Sequence, residues 1–206
     1  MKTPITIILL GDIAAGKGTQ AKVLINEFKL HLTDTGVFSR RMKFYSSAAG
    51  HLAPTAAIKK YLTSSLEKLN PKQDVLIDGG KMPNEARLIY KILSAKERKI
   101  LVVYLHIAKG EILKRLAMRY YCKNTDKPLI IKNKAKKCPH CGGQIYKRED
   151  DKPIALRNRI DYYNKIYSKT VRFWRKLGLL RFVNGKQRIA KVTKDITQTI
   201  KNYYSL

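Results

Sequence analysis

Acidic residues are scarce in this chain. Its 206 residues hold 15 Asp and Glu against 43 Lys and Arg, a formal net charge of +28. Such a field attracts polyanions: nucleotides, nucleic acid or acidic membrane surfaces. The lysines are spread along the whole chain, with Ile, Tyr and Asn also frequent. A compositional bias therefore explains the charge as readily as a polyanionic partner does. Long apolar runs are missing too. None approaches the roughly 20 residues that a membrane span needs, which argues against a spanning helix. The first residues offer a single early lysine and no small-residue cleavage pattern, against a signal peptide. Both point to a cytoplasmic protein. Cysteine is rare, and Cys122, Cys138 and Cys141 fall close together. An odd number in one short interval reads as metal ligation before disulfide. The length suits one full core with a small inserted module and argues against two large domains.

Strand and helix patterns alternate along the chain. Apolar runs predict strands over Ile5–Leu10, Val75–Ile77, Ile100–Ile107 and Leu179–Val183. Helical spacing predicts helices over Lys17–Phe28, Ala56–Leu69, Glu85–Ala95, Gly110–Arg119, Pro153–Leu177 and Gln187–Tyr203. The alternation implies an α/β fold, a parallel sheet wrapped by helices with ligands at the C-terminal strand ends. The interval 120–151 breaks the rhythm. It is lysine-rich and lacks apolar periodicity, and reads as an inserted flap.

Chemistry concentrates first in "ITIILLGDIAAGKGTQ", Ile5 to Gln20. Gly11, Gly16 and Lys17 fit the phosphate-loop layout G-x-x-x-x-G-K, strand before and helix after. The loop's N–H groups and the positive helix end suit a phosphate chain, which Lys17 would reach as a point charge. Gly18 stands where Ser or Thr usually meets Mg²⁺, and Thr19 comes one residue late. A second element is "DVLIDGG", which puts Asp78 at the end of an apolar strand, where a carboxylate can organise Mg²⁺. Arg115 and Arg119 lie four apart and share one helix face. Arg148 and Arg159 bracket Asp150 and Asp151. Any one of these arginines alone is as well read as a solvated surface residue.

Together these segments resemble the adenylate kinase family nearly end to end. "GDIAAGKGTQ" is similar to its loop G-x-x-G-x-G-K-G-T-Q, which makes Gly18 a family mark. "DTGVFSR" resembles its T-G-x-x-x-R segment, "AGHLAPT" its A-G-x-L-V-P turn, and "IDGGKMPNEA" its D-G-F-P-R-x-x-x-Q-A segment. "RLAMRYYC", "CPHCGGQIYKREDD" and "LRNRIDYYNK" resemble the lid arginines, the lid's closing half and the R-x-R helix. The resemblance implies a single phosphate-loop kinase domain over 1–206, with a monophosphate-binding insertion at 35–70 and a lid at 120–151. It implies ATP and Mg²⁺ as cofactors, with Gly11, Ala14, Ala15, Gly16, Lys17, Gly18, Thr19, Arg115 and Arg119 around ATP. Thr35, Arg40, Leu52, Gly79, Lys81, Glu85, Arg148 and Arg159 would hold AMP. Lys17, Asp78, Arg119, Arg148 and Arg159 would be catalytic. Arg115 would stack on the donor base, and Asp150 and Asp151 would hold the clamping arginines or the magnesium waters.

Two regions depart from the family pattern. One deletion is needed to align "DGGKMPNEA", which puts Lys81 where an arginine is usual and Glu85 where a glutamine is usual. Lysine loses bidentate phosphate binding, and an ionised glutamate accepts from a base but cannot donate to it. The stretch between Arg40 and Asp78 is also shorter than usual. In the lid, zinc-binding relatives pair two C-x-x-C half-sites, whereas "CKNT" supplies only Cys122. Cys122, Cys138 and Cys141 leave a tetrahedral zinc site one ligand short, with Asp126 or His140 to complete it. A metal-free lid is the alternative.

The sequence thus points to a nucleoside monophosphate kinase with AMP as the default acceptor. A kinase for another purine monophosphate, GMP, is the alternative enzyme reading. A basic zinc-knuckle nucleic-acid-binding protein with a vestigial kinase site is the alternative from another class. ATP, AMP and ADP are the expected partners, with nucleic acid secondary and no membrane.

Overall fold

The computed structural model describes residues 4–42, 54–125, 128–131, 136–148, 151 and 153–206, with 153–159 and 161–164 as backbone alone. Leu52, Asp126 and Asp150 lie outside the described residues, as does the side chain of Arg159.

The first aliphatic run forms β1 (Thr6–Gly11), buried along its whole length. A strand covered on both faces needs such a run, because neither face meets water. β1 pairs in parallel with β3 (Val75–Asp78) on one side and β4 (Leu101–His106) on the other. β2 (His31–Asp34) adds to β3, and β8 (Leu180–Asn184) adds to β4, giving the parallel order β2-β3-β1-β4-β8. The order of filling switches at β1: the chain fills β2 and β3 on one flank, then crosses to β4 and β8 on the other. A crevice opens at the C-terminal strand ends where such a reversal occurs.

Helices α1 (Lys17–Phe28), α3 (Thr55–Glu67), α4 (Pro83–Ala95), α5 (Lys109–Ala117), α6 (Pro153–Lys176) and α7 (Ile189–Tyr204) match the expected ones to within a few residues. The parallel α/β architecture expected from the sequence is present. Two further elements were not expected: β2 and the short α2 (Thr35–Arg41), which follows it directly. Between α5 and α6 lies a separate antiparallel sheet of β5 (Arg119–Cys122), β6 (Pro128–Ile130) and β7 (Ile145–Tyr146), in the order β6-β5-β7. No helix among the described residues is long and apolar enough to cross a membrane.

The base of the large sheet is tied at the ends opposite the crevice. Arg98 is buried, and its guanidinium donates to Thr6 Oγ1 at 2.7 Å, to the Ile5 carbonyl at 3.2 Å and to the Gln73 carbonyl. The Tyr204 hydroxyl, near the end of α7, accepts from the Thr6 N–H at 2.9 Å. The start of β1 is thus completed by side chains from far along the chain.

Candidate active site

The loop between β1 and α1 is shaped by close approach. At Gly11 φ is 152°, and a Cβ there would stand 2.5 Å from the Leu105 carbonyl oxygen of β4. Any larger residue would push the loop off the sheet. Gly16, at φ 94°, is the N-cap of α1 and leads its first N–H groups toward the crevice. Lys17 Nζ donates to the carbonyls of Gly11 at 2.6 Å and Asp12 at 2.9 Å, so the ammonium already sits inside the loop. Ala15 is buried, while Gly18 and Thr19 are exposed at the start of α1. Ala14 holds φ 59°, a left-handed conformation unusual for a residue with a Cβ. The family loop pattern carries a glycine there, so Ala14 is a departure that the motif match passed over.

Parallel pairing of β1 with β3 sets Asp78 beside this loop. Burial pushes its carboxyl upward. Lys81 and then Lys17 pull it back, Asp34 adds to the rise, and Arg40 lowers it. The Lys81, Lys17 and Arg40 cations therefore all act on one carboxylate. Asp34 lies opposite Asp78 in the β2–β3 register and caps α2 by accepting from the Val37 N–H at 2.8 Å. Thr35, buried at the start of α2, lies against Gly79, where a Cβ would stand 2.6 Å from Thr35 Cγ2. Thr35 Oγ1 also donates to the Asp78 carbonyl at 3.3 Å. Thr35, Arg40, Gly79 and Lys81 thus gather about the ends of β2 and β3.

Glu85 enters this region with a second task. It is buried in the first turn of α4, and its Oε2 accepts from the Met82 N–H at 3.2 Å. Burial raises its pKa, while the Met82 N–H and the Lys81 charge pull it down. Serving one's own helix terminus is ordinary work for a glutamate three residues into a helix. "MPNE" lacks the Ser or Thr that usually announces this arrangement, which is why the sequence did not show it.

The arginines fall into two groups. Arg115 bridges three partners: Glu111 Oε1 at 2.7 Å, the Ala14 carbonyl at 3.2 Å and the Gly185 carbonyl at 2.9 Å. It joins α5, the phosphate loop and the turn after β8. α5 ends at Ala117 and Arg119 opens β5, so Arg115 and Arg119 do not share the helix face expected of them. Arg119, and Arg148 just past β7, place their guanidinium carbons 5.7 Å and 3.6 Å from the Tyr121 ring centre. Asp151 accepts from Arg119 Nε at 2.9 Å and also from Arg119 Nη2.

The three thiols converge as their spacing suggests. Their sulfurs all lie within 4.8 Å of one another, with Cys122 and Cys141 3.4 Å apart. Thiolates on a tetrahedral zinc ion stand about 3.8 Å apart, so the cluster has the size for the metal. Gly142, at φ 67°, turns the "CPHCGG" knuckle, and its N–H donates to the Cys138 carbonyl at 2.9 Å. The Thr125 hydroxyl and Cys141 hold the Cys122 thiol down to about 7, toward the ligating thiolate form. His140 does not join the cluster.

Sequence reasoning missed three residues that build the loop. Asp12 receives hydrogen bonds from the end of β4, Tyr167 accepts from the Gly11 N–H at 2.9 Å, and Gln20 bonds to Thr193 and the Ile189 carbonyl of α7. Only Asp12 carried a signal, as an acid inside a loop shaped for anions.

No family model matches the chain. Full-length relatives do. It is 30% identical over 213 residues to an adenylate kinase of Methanothrix thermoacetophila, covering 96% of this chain and 99% of that protein. It is 30% identical over 214 residues to an adenylate kinase of Lactobacillus gasseri, covering 95% and 98%. It is 29% identical over 215 residues to one of Lactobacillus helveticus, covering 96% and 99%. With similarity at this level over nearly its whole length, and a phosphate loop set beside a strand-end aspartate, the chain belongs to the adenylate kinase family.

Proposed function

We infer that the protein transfers the γ-phosphoryl group of Mg·ATP reversibly to AMP, giving two ADP. The observation that carries this is Lys17 seated inside the loop on the Gly11 and Asp12 carbonyls, with Asp78 at the end of the neighbouring strand β3. Phosphoryl transfer needs in-line positioning and cations spread over the migrating group, with little covalent work from the protein. Lys17 supplies the charge at the terminal phosphates, and Arg119, Arg148 and Arg159 close on the group in flight. Arg115 holds the loop edge-on through its N–H groups, which leaves the guanidinium face for the donor base. Thr35, Arg40, Leu52, Gly79, Lys81 and Glu85 form the acceptor side. Asp78 would hold the waters of Mg²⁺, which would supply charge neutralisation at the phosphate oxygens. The insertion 35–70 carries the acceptor and 120–151 is the lid, which zinc on Cys122, Cys138 and Cys141 stiffens. A coupled assay of transfer from ATP to AMP, GMP, CMP and UMP tests the reading. Turnover with AMP is expected, and none with any monophosphate would overturn it.

A second activity, nucleic-acid binding, is favoured by one observation. Lys59 and Lys60 of α3 and Arg87 and Lys91 of α4 line a groove of about 420 Å³ with no carboxylate in its lining among the described residues. Four phosphate contacts there correspond to a single-strand salt slope of about −3 in log K against log salt. Replacing the four by glutamine should remove that slope, and an unchanged slope would assign the binding to diffuse charge.

A further inference from the structure

An acid inside a phosphate loop raises an immediate electrostatic objection, since the loop gathers negative charge. The geometry around Asp12 answers it. Its Oδ1 accepts from the Tyr104 hydroxyl at 2.6 Å. Its Oδ2 accepts from the Ile107 N–H at 2.8 Å and lies 2.9 Å from His106 Nδ1. All three partners belong to the end of β4 or the residue after it, so the carboxylate is turned onto the sheet edge. The side chain of Asp12 is 15% exposed and that of His106 63%. The backbone of Asp12 is equally committed. Its N–H donates to the Leu105 carbonyl at 3.0 Å, and its carbonyl accepts from the Ala15 N–H at 3.2 Å and from Lys17 Nζ at 2.9 Å. Every polar atom of this one residue fixes the first turn of the loop.

We propose that Asp12 is a positioning residue for the ATP side of the reaction. Three hydrogen-bond partners at one strand end satisfy the carboxylate oxygens and hold them, and the hold transmits to the loop through the residue's own N–H and C=O. The direction of the loop's remaining N–H groups and the resting place of Lys17 are set by that hold. Donors fixed in advance act on phosphate charge without reorganising when the ligand arrives. Asp12 acts through the loop and touches no nucleotide. Gly11 lies close under β4 because it has no side chain, and Asp12 locks the same contact chemically. The glycine permits the approach and the aspartate makes it permanent.

The inference rests on the loop holding ATP, and the closing experiment separates the two. Wild-type turnover with ATP and AMP tests the reaction by itself. Calorimetric titration with a non-hydrolysable ATP analogue and, separately, with AMP then tests Asp12. Asp12→Ala should weaken the analogue about tenfold, the effect of losing charge-assisted hydrogen bonds, with AMP affinity unchanged. In kinetics the same variant should raise the KM for ATP and lower kcat while the KM for AMP stays within about twofold. Asp12→Asn keeps one acceptor oxygen and should recover part of the loss. Tyr104→Phe removes one donor, keeps the ring, and should give a smaller loss of the same kind. It decides the matter alone if Asp12→Ala fails to fold. Equal losses for both ligands, no loss in any variant, or no recovery in Asp12→Asn would overturn the proposal.

Discussion

Asp151 grips Arg119 at two points, its two carboxylate oxygens taking Nε and Nη2 of the same guanidinium. The aspartate side chain is fully buried and the arginine 18% exposed, so the pair holds its geometry with little help from water. In the proposed reaction Arg119 carries charge to the transfer site and Asp151 fixes its aim. Removing the fixing end leaves a charge that is present but unaimed. Asp151→Asn should lower stability by about 3 kcal/mol, the lower end of the cost of breaking a buried pair, since the arginine keeps some water. It should also lower kcat about tenfold with Arg119 still in place. Urea denaturation and steady-state kinetics on one preparation check both, and a change in stability alone would confine Asp151 to structure.

Lys17→Ala and Asp78→Ala should each lower kcat by at least about a hundredfold while the fold survives, since both act on charge that develops during transfer. Circular dichroism and the coupled assay together test this. Full activity in either variant would remove both residues from the reaction.

Asp78 also makes a prediction about pH. Burial raises its folded pKa above the ordinary 3.8. The folded state therefore holds this proton more tightly than the unfolded chain, and stability falls as pH rises from the unfolded value through the folded one. Above that window the ionised carboxylate is a standing cost. Asp78→Asn should raise the melting temperature of the nucleotide-free protein at neutral pH, and the gain should vanish below pH 3.8. A variant that melts lower than wild type at neutral pH would contradict it.

Purified protein should carry close to one zinc ion per chain, and Cys138→Ser should lower the melting temperature by loosening the small sheet. Elemental analysis and melting with and without chelator make the measurement. Metal-free protein whose melting ignores chelator would refute the prediction.

Glu85→Gln preserves an acceptor for the Met82 N–H, so the first turn of α4 should keep its stability. A carboxylate facing the acceptor base matches the two donors of guanine and mismatches adenine by about 1–3 kcal/mol. The variant should therefore raise the AMP-to-GMP ratio of kcat/KM about tenfold. An unchanged ratio would leave Glu85 with its helix-terminal role alone.

The long apolar runs made β1, β3, β4 and β8 legible, because a strand buried on both faces cannot hide its composition. β2 reads "HLTD", with only Thr33 fully covered, as an edge strand does, and nothing in those four residues separates it from a loop. The site was legible where one residue type has one use: Lys17 after two glycines, Asp78 after an apolar strand. It was not legible where role depends on conformation. Ala14 is an ordinary letter until its φ is known, and Glu85 and Asp12 find partners that are backbone groups or residues remote in sequence. Arg98 looks like any other cation in a basic chain, yet it lies buried among carbonyl oxygens.

One residue of the phosphate loop stores strain. Left-handed backbone costs a residue with a Cβ about 1 kcal/mol or more. Ala14→Gly should therefore stabilise the protein by about 0.5 kcal/mol, the relieved strain less the added freedom of its unfolded chain. Chemical denaturation measures it, and a loss of stability would show that the surroundings had already relieved the strain.

The bond from Tyr204 to Thr6 spans 198 residues of chain. On the ribosome, β1 and its phosphate loop emerge long before α7, yet the N–H of Thr6 awaits its native partner until Tyr204 has been synthesised. A nascent chain halted short of α7 would carry the nucleotide loop on a strand whose base is unfinished. Synthesis thus runs from the catalytic element toward its foundation, and native ATP affinity should arrive late on a translating ribosome, with α7.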